Sequence, residues 1–305
     1  MHGLLVRSDL ALEEPTVDSD SYDIEVRLGP ARHVPDASPP GEAVVQLASH
    51  DRTFYSASRN AEGYVLRFPE LCDFAISPDC RSIVCHPHLG TETGLIPILI
   101  RGTLVSLVLN LQGHHVLHAS AVAVNGRAIA FAGAAGMGKS TCAALLCSVG
   151  GHLVSDDVLR VRLDPAWCFR GASAIRIRPA AADVVDMFEV RPEVRETPDG
   201  RLAVFPPSAA DELPLAAIVV PYPRQGLSQV EIEPVLGSEA FWLLAHFGRL
   251  VGWQQEEMVR QQFVQVGDLI AQVPMVKANI PWGPPFSANT AGELLDALAP
   301  SIGGS

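Results

Sequence analysis

The sequence predicts an α/β fold: a mixed sheet around a glycine-rich loop, with a smaller β-rich domain ahead of it. Three observations predict it. The segment Gly133-Ala134-Ala135-Gly136-Met137-Gly138-Lys139-Ser140 fits G-x-x-x-x-G-K-[ST] between an apolar run and a helical pattern. Asn125-Gly126 separates two apolar runs, the strongest short-range hairpin signal. Residues 1–94 instead carry short alternating runs between Pro, Gly and Ser clusters. The expected division is a β-rich domain over 1–94 and a P-loop domain over 95–305.

Within the first part, 22–28, 43–49, 63–69 and 81–87 read as strands, and Ser77-Pro78-Asp79-Cys80 as the turn of a hairpin. Residues 95–112 form an apolar stretch expected to be a buried helix. Arg101 interrupts it, and its length falls short of the roughly 20 residues a membrane helix needs. Then follow a strand over 116–124, a strand over 127–132, the glycine loop, a helix over 139–149 and a strand over 152–155. Such a strand-loop-helix-strand order implies a mixed sheet. Residues 174–179 and 216–223 read as buried strands, and 238–251 and 254–273 as helices. Thr290 and Glu293 have the spacing of a capping box for a last helix over 291–298. The tail Gly303-Gly304-Ser305 is expected to fray.

Composition bounds the function. The 305 residues hold 22 Lys+Arg and 34 Asp+Glu, a net charge of −12. That opposes sequence-independent nucleic-acid binding, which needs basic surface. It leaves room for a local cationic pocket. Six cysteines make no CxxC pair, and the N-terminus turns acidic without a long apolar core. The expectation is a cytoplasmic protein with reduced thiols, no membrane partner and no nucleic-acid partner.

The glycine loop carries the chemistry. Backbone N–H groups of such a loop form an anion nest at a helix N-terminus. Residues Gly133, Ala134, Ala135, Gly136, Met137, Gly138, Lys139, Ser140 and Thr141 are therefore the nucleotide-binding candidates. Lys139 would bridge the β- and γ-phosphates of ATP, and the Ser140 hydroxyl would ligate Mg²⁺. Lys139 is one of only two lysines in an arginine-rich chain. Asp156 and Asp157 follow Lys139 by 17 and 18 positions, so one helix and one strand return them to the phosphates. Adjacent carboxylates divide labour between metal and hydroxyl. His118, one hairpin strand upstream, is the third candidate, although an isolated histidine also fits a buried hydrogen-bonded core residue.

LHASAVAVNGRAIAFAGAAGMGKST followed by GGHLVSDDVLRV resembles the HPr kinase/phosphorylase family over residues 113–163. The likeness extends in style to the HPr-kinase-like proteins found with peptide natural products, the lasso peptide kinases. It implies a fold akin to phosphoenolpyruvate carboxykinase and transfer of phosphate from ATP, with Mg²⁺, to a serine hydroxyl. In lasso peptide kinases the acceptor is the C-terminal serine of a precursor peptide. By the same resemblance Asp156 is the base; the expected mechanism then has Ser140 and Asp157 hold the metal and His118 assist at the γ-phosphate, with the roles of Asp156 and Asp157 open to exchange. Two departures stand out. Thr141 occupies the place where the family commonly has Glu after the P-loop Ser. The family's E-[IL]-R-G-L-G-type segment survives only as Ala174-Ile175-Arg176-Ile177-Arg178, leaving Arg176 or Arg178 to offset charge on the phosphoryl group. Alternative readings are a kinase for a small-molecule hydroxyl acceptor, and a nucleotide-binding regulatory protein without transfer. A homo-oligomer is a further expectation from the family.

Three weaker features remain. Cys80, Cys85, His86 and His88 lack a standard zinc spacing. His114-His115 reads as solvated. Trp242, Trp253 and Trp282 are expected to pack in the C-terminal part, with 282–285 as a candidate lip on the acceptor side.

Overall fold

The computed structural model describes residues 1–302, so the expected fraying of 303–305 lies outside the described residues. The chain forms two compact units. One holds Met1, Gly3–His114 and Leu250–Phe263; the other holds His2, His115–Arg249 and the chain from Val264 onward. The division thus falls after His114 rather than after residue 94.

The reason is the apolar stretch. Thr93–Leu111 is helical and, alone among the described residues, long and apolar enough to cross a membrane by length and composition. Its Ile96, Ile100, Leu104, Leu107 and Val108 pack with Leu66, Phe74 and Ile83 in the core of the first unit. Arg101 pairs with Glu13 and Glu14 at 3.5 and 3.4 Å. The helix therefore completes the β-rich unit instead of opening the P-loop unit.

The sheet of that first unit runs β1 (Val6–Ser8), β2 (Ile24–Leu28), β7 (Ser82–Pro87), β6 (Cys72–Ile76), β5 (Gly63–Phe68), β4 (Thr53–Asn60) and β3 (Glu42–Ala48). β3 to β7 form an antiparallel meander; β2 and β1 add in parallel beyond β7. Cys80 and Cys85 are core residues, and no group of three His, Cys, Asp or Glu among the described residues is placed to hold a metal.

The second unit carries a mixed sheet in the order β11 (His152–Ser155), β9 (Ala119–Val124), β10 (Arg127–Ala132), β17 (Glu212–Arg224), β13 (Trp167–Phe169), β12 (Leu159–Arg162), β8 (His115–Leu117). β19 (Met275–Pro281) lies parallel to β17, and β18 (Glu231–Val235) antiparallel to β19. β10 pairs antiparallel with β9 across Asn125-Gly126, both at positive φ, and parallel with β17. Period-two alternation sorts β10 between two cores. Ala128, Ala130 and Ala132 face one with Leu244, Val266 and Leu269. Ile129 and Phe131 face the other with Leu145, Leu146, Leu294 and Leu298. Helices Lys139–Ser148 and Thr290–Ile302 thus cover one face; Gly237–Ala245 and the later turns of Glu256–Gln272 cover the other. A separate three-stranded sheet orders β14 (Ile175–Ile177), β16 (Leu202–Phe205) and β15 (Glu193–Glu196).

Several expectations change. The strand over 116–124 breaks at His118: β8 pairs with β12, whereas β9 pairs with β10 and β11. The capping box does not form, because the Thr290 hydroxyl is buried without a partner and Glu293 accepts from the Val230 N–H. His115 is buried against Gln265 rather than solvated. Trp242 and Trp282 are exposed, and Trp253 packs against the core of the first unit.

Candidate active site

The glycine loop follows β10 and opens directly into helix Lys139–Ser148. Gly136 and Gly138 adopt φ of +87° and +89°, a left-handed backbone where a Cβ is strained. Gly138 caps the helix, and the first helical N–H groups have no intrahelical acceptor, which suits an anion. Lys139 is buried and folds back over the loop, donating to the carbonyls of Gly133 at 2.8 Å and Ala134 at 3.1 Å. Burial lowers its ammonium below the ordinary value, while Asp157 and Asp156 pull it back. Ala135, Gly136, Gly138, Ser140 and Thr141 line a cavity of about 770 Å³. Met137 turns away and packs on the core.

β11 ends at Ser155 and delivers Asp156 and Asp157 to the same cavity. Asp156 is buried and fully engaged. Its Oδ1 accepts from Ser120 at 2.5 Å and Ser140 at 2.8 Å; its Oδ2 accepts from the Arg176 N–H at 2.8 Å. Burial raises its carboxyl above the usual range, against the pull of those donors. The Ser140 hydroxyl, expected to share a metal with Asp157, donates here to Asp156.

Asp157 has the opposite surroundings. Its φ of +72° turns its side chain away from Asp156, a conformation Asp tolerates better than most residues. Arg249 donates to its Oδ2 at 2.8 and 3.2 Å, and His118 Nδ1 lies 3.1 Å from its Oδ1. Burial works to raise this carboxyl, but Arg249 and His118 override it and hold it well below the usual range. Both acceptors near His118 Nδ1, the Asp157 carboxylate and carbonyl, require Nδ1 to carry the proton. In the neutral form of the ring the lone pair then lies on Nε2, and His118 lines the cavity. The strand break places the ring there, pinned by the His118 N–H to the Phe247 carbonyl at 2.7 Å.

Arg176 of β14 and Arg178, just past its end, part company. The Arg176 backbone serves Asp156, and its guanidinium pairs with Asp199. Arg178 has no ion pair among the described residues, and its guanidinium lies 3.8 Å from where a Cβ on Gly136 would stand. Of the two, Arg178 is the cation nearer the glycine loop. Trp282, Gly283, Pro284 and Phe286 line the cavity's apolar rim.

No protein-family model matches this chain, and no curated protein matches it. Among solved structures it is similar to the HPr(Ser) kinase/phosphatase from Coxiella burnetii, at 14% identity over 55% of this chain and 85% of that one, with a TM-score of 0.29.

Sequence reasoning missed three contributors. Ser120 stands two positions after His118, the same-face spacing of the single strand expected over 116–124, so a readable signal pointed to it although the strand breaks at His118. Arg249 comes 92 positions after Asp157 and belongs to no motif. His2 is buried beside Gly171, where an added Cβ would lie 2.2 Å from His2 Cε1 and 2.1 Å from Ser155 Oγ, directly behind the Asp156-Asp157 turn.

Proposed function

We propose that this protein is an ATP-dependent phosphotransferase acting on a hydroxyl. The observation that carries the reading is one cavity that gathers a glycine loop with Lys139, the Ser140–Asp156 pair and the Asp157–His118 pair. The loop backbone, Lys139 and Arg178 hold the triphosphate. Ser140 and Asp156 offer the hard oxygen ligands Mg²⁺ prefers, and the small number of protein ligands fits an ion that usually keeps waters and substrate phosphates. When bound, that ion neutralises charge on the phosphates.

His118 takes the proton of the acceptor hydroxyl at Nε2, and Asp157 orients the ring and balances its charge. The acceptor oxygen bonds to the γ-phosphorus, and the bond from that phosphorus to the bridging oxygen breaks, leaving ADP. Most of the rate enhancement comes from positioning and charge. In this division Asp156 stands on the metal side and the Asp157–His118 pair on the acceptor side, the exchange of roles that the sequence left open. The sequence resemblance to lasso peptide kinases supports a finer reading, in which the acceptor is the C-terminal serine of a precursor peptide.

Incubation of the full chain with ATP and Mg²⁺ and a panel of peptides and small hydroxy compounds tests this by mass spectrometry. A gain of one phosphate on a peptide ending in Ser supports the finer reading; a gain on a metabolite only replaces it. Nucleotide binding with no transfer to any acceptor in the panel overturns the phosphotransferase reading in favour of a nucleotide-binding regulator.

A further inference from the structure

The cavity lining outside the glycine loop is cationic. Arg176, Arg178 and Arg201 all line it, in a chain of net charge −12. Arg178 reaches toward Gly136. The other two are directed elsewhere. The β15–β16 hairpin turns through Thr197 to Arg201, closed by the Gly200 N–H to the Thr197 carbonyl at 2.9 Å. Its Asp199 carboxylate accepts from Thr197 Oγ1 at 2.6 Å, pairs with Arg176 and lies 3.5 Å from Arg201 Nε. The chain's own carboxylate thus sits between two cavity arginines. It does not satisfy them: Arg176 Nε is buried with no acceptor, and the Arg201 contact is long.

We propose that Arg176 and Arg201 form an acceptor-side anion subsite for a carboxylate near the hydroxyl that is phosphorylated, with Asp199 as its stand-in in the free protein. The subsite rests on the phosphotransferase reading and names its substrate class: a hydroxyl acceptor that carries a carboxylate. Guanidinium groups match a carboxylate by planar, charge-assisted hydrogen bonds. The incoming carboxylate displaces Asp199 from Arg201, the longer contact, and meets Arg176 from the cavity that both arginines line. No covalent step is involved. Two sources carry this chemistry, the terminal carboxylate of a peptide ending in Ser and a free hydroxy acid.

The test uses the full chain with Mg²⁺ and nucleotide. Matched probes are a peptide ending in Ser as the acid and as the carboxamide, and free L-serine against L-serinamide. Turnover is measured with ATP, and binding by calorimetry with a non-hydrolysable ATP analogue. The expected result is a preference of roughly tenfold or more for the acid of one pair, expressed in KM and Kd rather than kcat. Arg201→Gln should collapse that preference, with nucleotide binding unchanged. Asp199→Asn should lower KM for the acid by removing the competitor, an effect a merely structural hairpin would not produce. Which pair shows the preference distinguishes peptide from free acid. Acid and amide behaving alike, or no probe binding, overturns the subsite. Acid-selective binding without any transfer keeps the subsite and overturns phosphotransfer; transfer without acid preference does the reverse.

Discussion

At the scale of single residues, the site works by giving chemically equal groups unequal surroundings. Asp156 meets two hydroxyls and one N–H, whereas Asp157 meets Arg249 and His118. The consequences separate by variant. Lys139→Ala removes the loop's own cation and should lower kcat/KM by about 10³-fold or more, read by steady-state kinetics. Asp157→Asn keeps the shape but loses the charge that orients His118. It should cost about 10²–10⁴ in kcat with little change in nucleotide Kd. Asp156→Asn should instead weaken Mg²⁺ binding, seen as a rise in the concentration of Mg²⁺ for half-maximal rate. Equal Mg²⁺ titrations for the two variants would refute this division.

Two further residues set the acid response of stability. Burial lowers the pKa of His2 from 6.5 to about 3 and of His115 to about 4. Between those values and 6.5 the unfolded chain binds more protons than the folded one, so stability falls as pH falls. The slope is ~1.4 kcal/mol per pH unit for each histidine. Asp156, raised by burial, contributes the opposite slope, which is common to parent and variant. Denaturant unfolding between pH 7 and 5 should show a flatter slope for a His2→Gln, His115→Gln double variant. An unchanged slope would mean that these rings are not buried neutral.

At the scale of elements, the parts with strong local grammar were legible. Asn125-Gly126 turns the β9–β10 hairpin, and the strand, loop and helix over 127–148 stand where pattern placed them. Elements whose burial is decided by neighbours were not. β4 reads TFYSASRN, which looks polar, yet Ala57 packs in the core of its unit and Ser58 is buried with its hydroxyl on the Pro39 carbonyl. The break between β8 and β9 was hidden in one apolar run, since each half satisfies a different neighbour of the sheet. Gly171 shows the same dependence: nothing nearby in sequence demands a glycine, but Ser155 and His2 crowd its missing side chain. Gly171→Ala should destabilise the fold by about 1–3 kcal/mol in denaturant titration. It should also lower turnover, because the strain falls on the strand that ends at Asp156.

At the scale of the whole molecule, every residue given a role in phosphate transfer belongs to the unit of 115–249 and 264 onward, so ligand effects should be confined there. Hydrogen exchange with ATP and Mg²⁺ should slow at residues 133–148, 155–157 and 175–178 and remain unchanged across the strands of 42–87. Protection spread equally through both units would contradict that confinement. The sequence by itself determined the glycine loop, its flanking strand and helix, and the return of two carboxylates 17 and 18 positions on, because backbone spacing along one strand-loop-helix unit encodes all of them. Only the tertiary structure decided that Arg249 holds Asp157, that Ser140 sits on Asp156, that Asp199 occupies two cavity arginines, and that helix Thr93–Leu111 belongs to the β-rich unit. Those pairings join residues brought together by strand order and by which face of a sheet needs covering, and neither is written in local spacing.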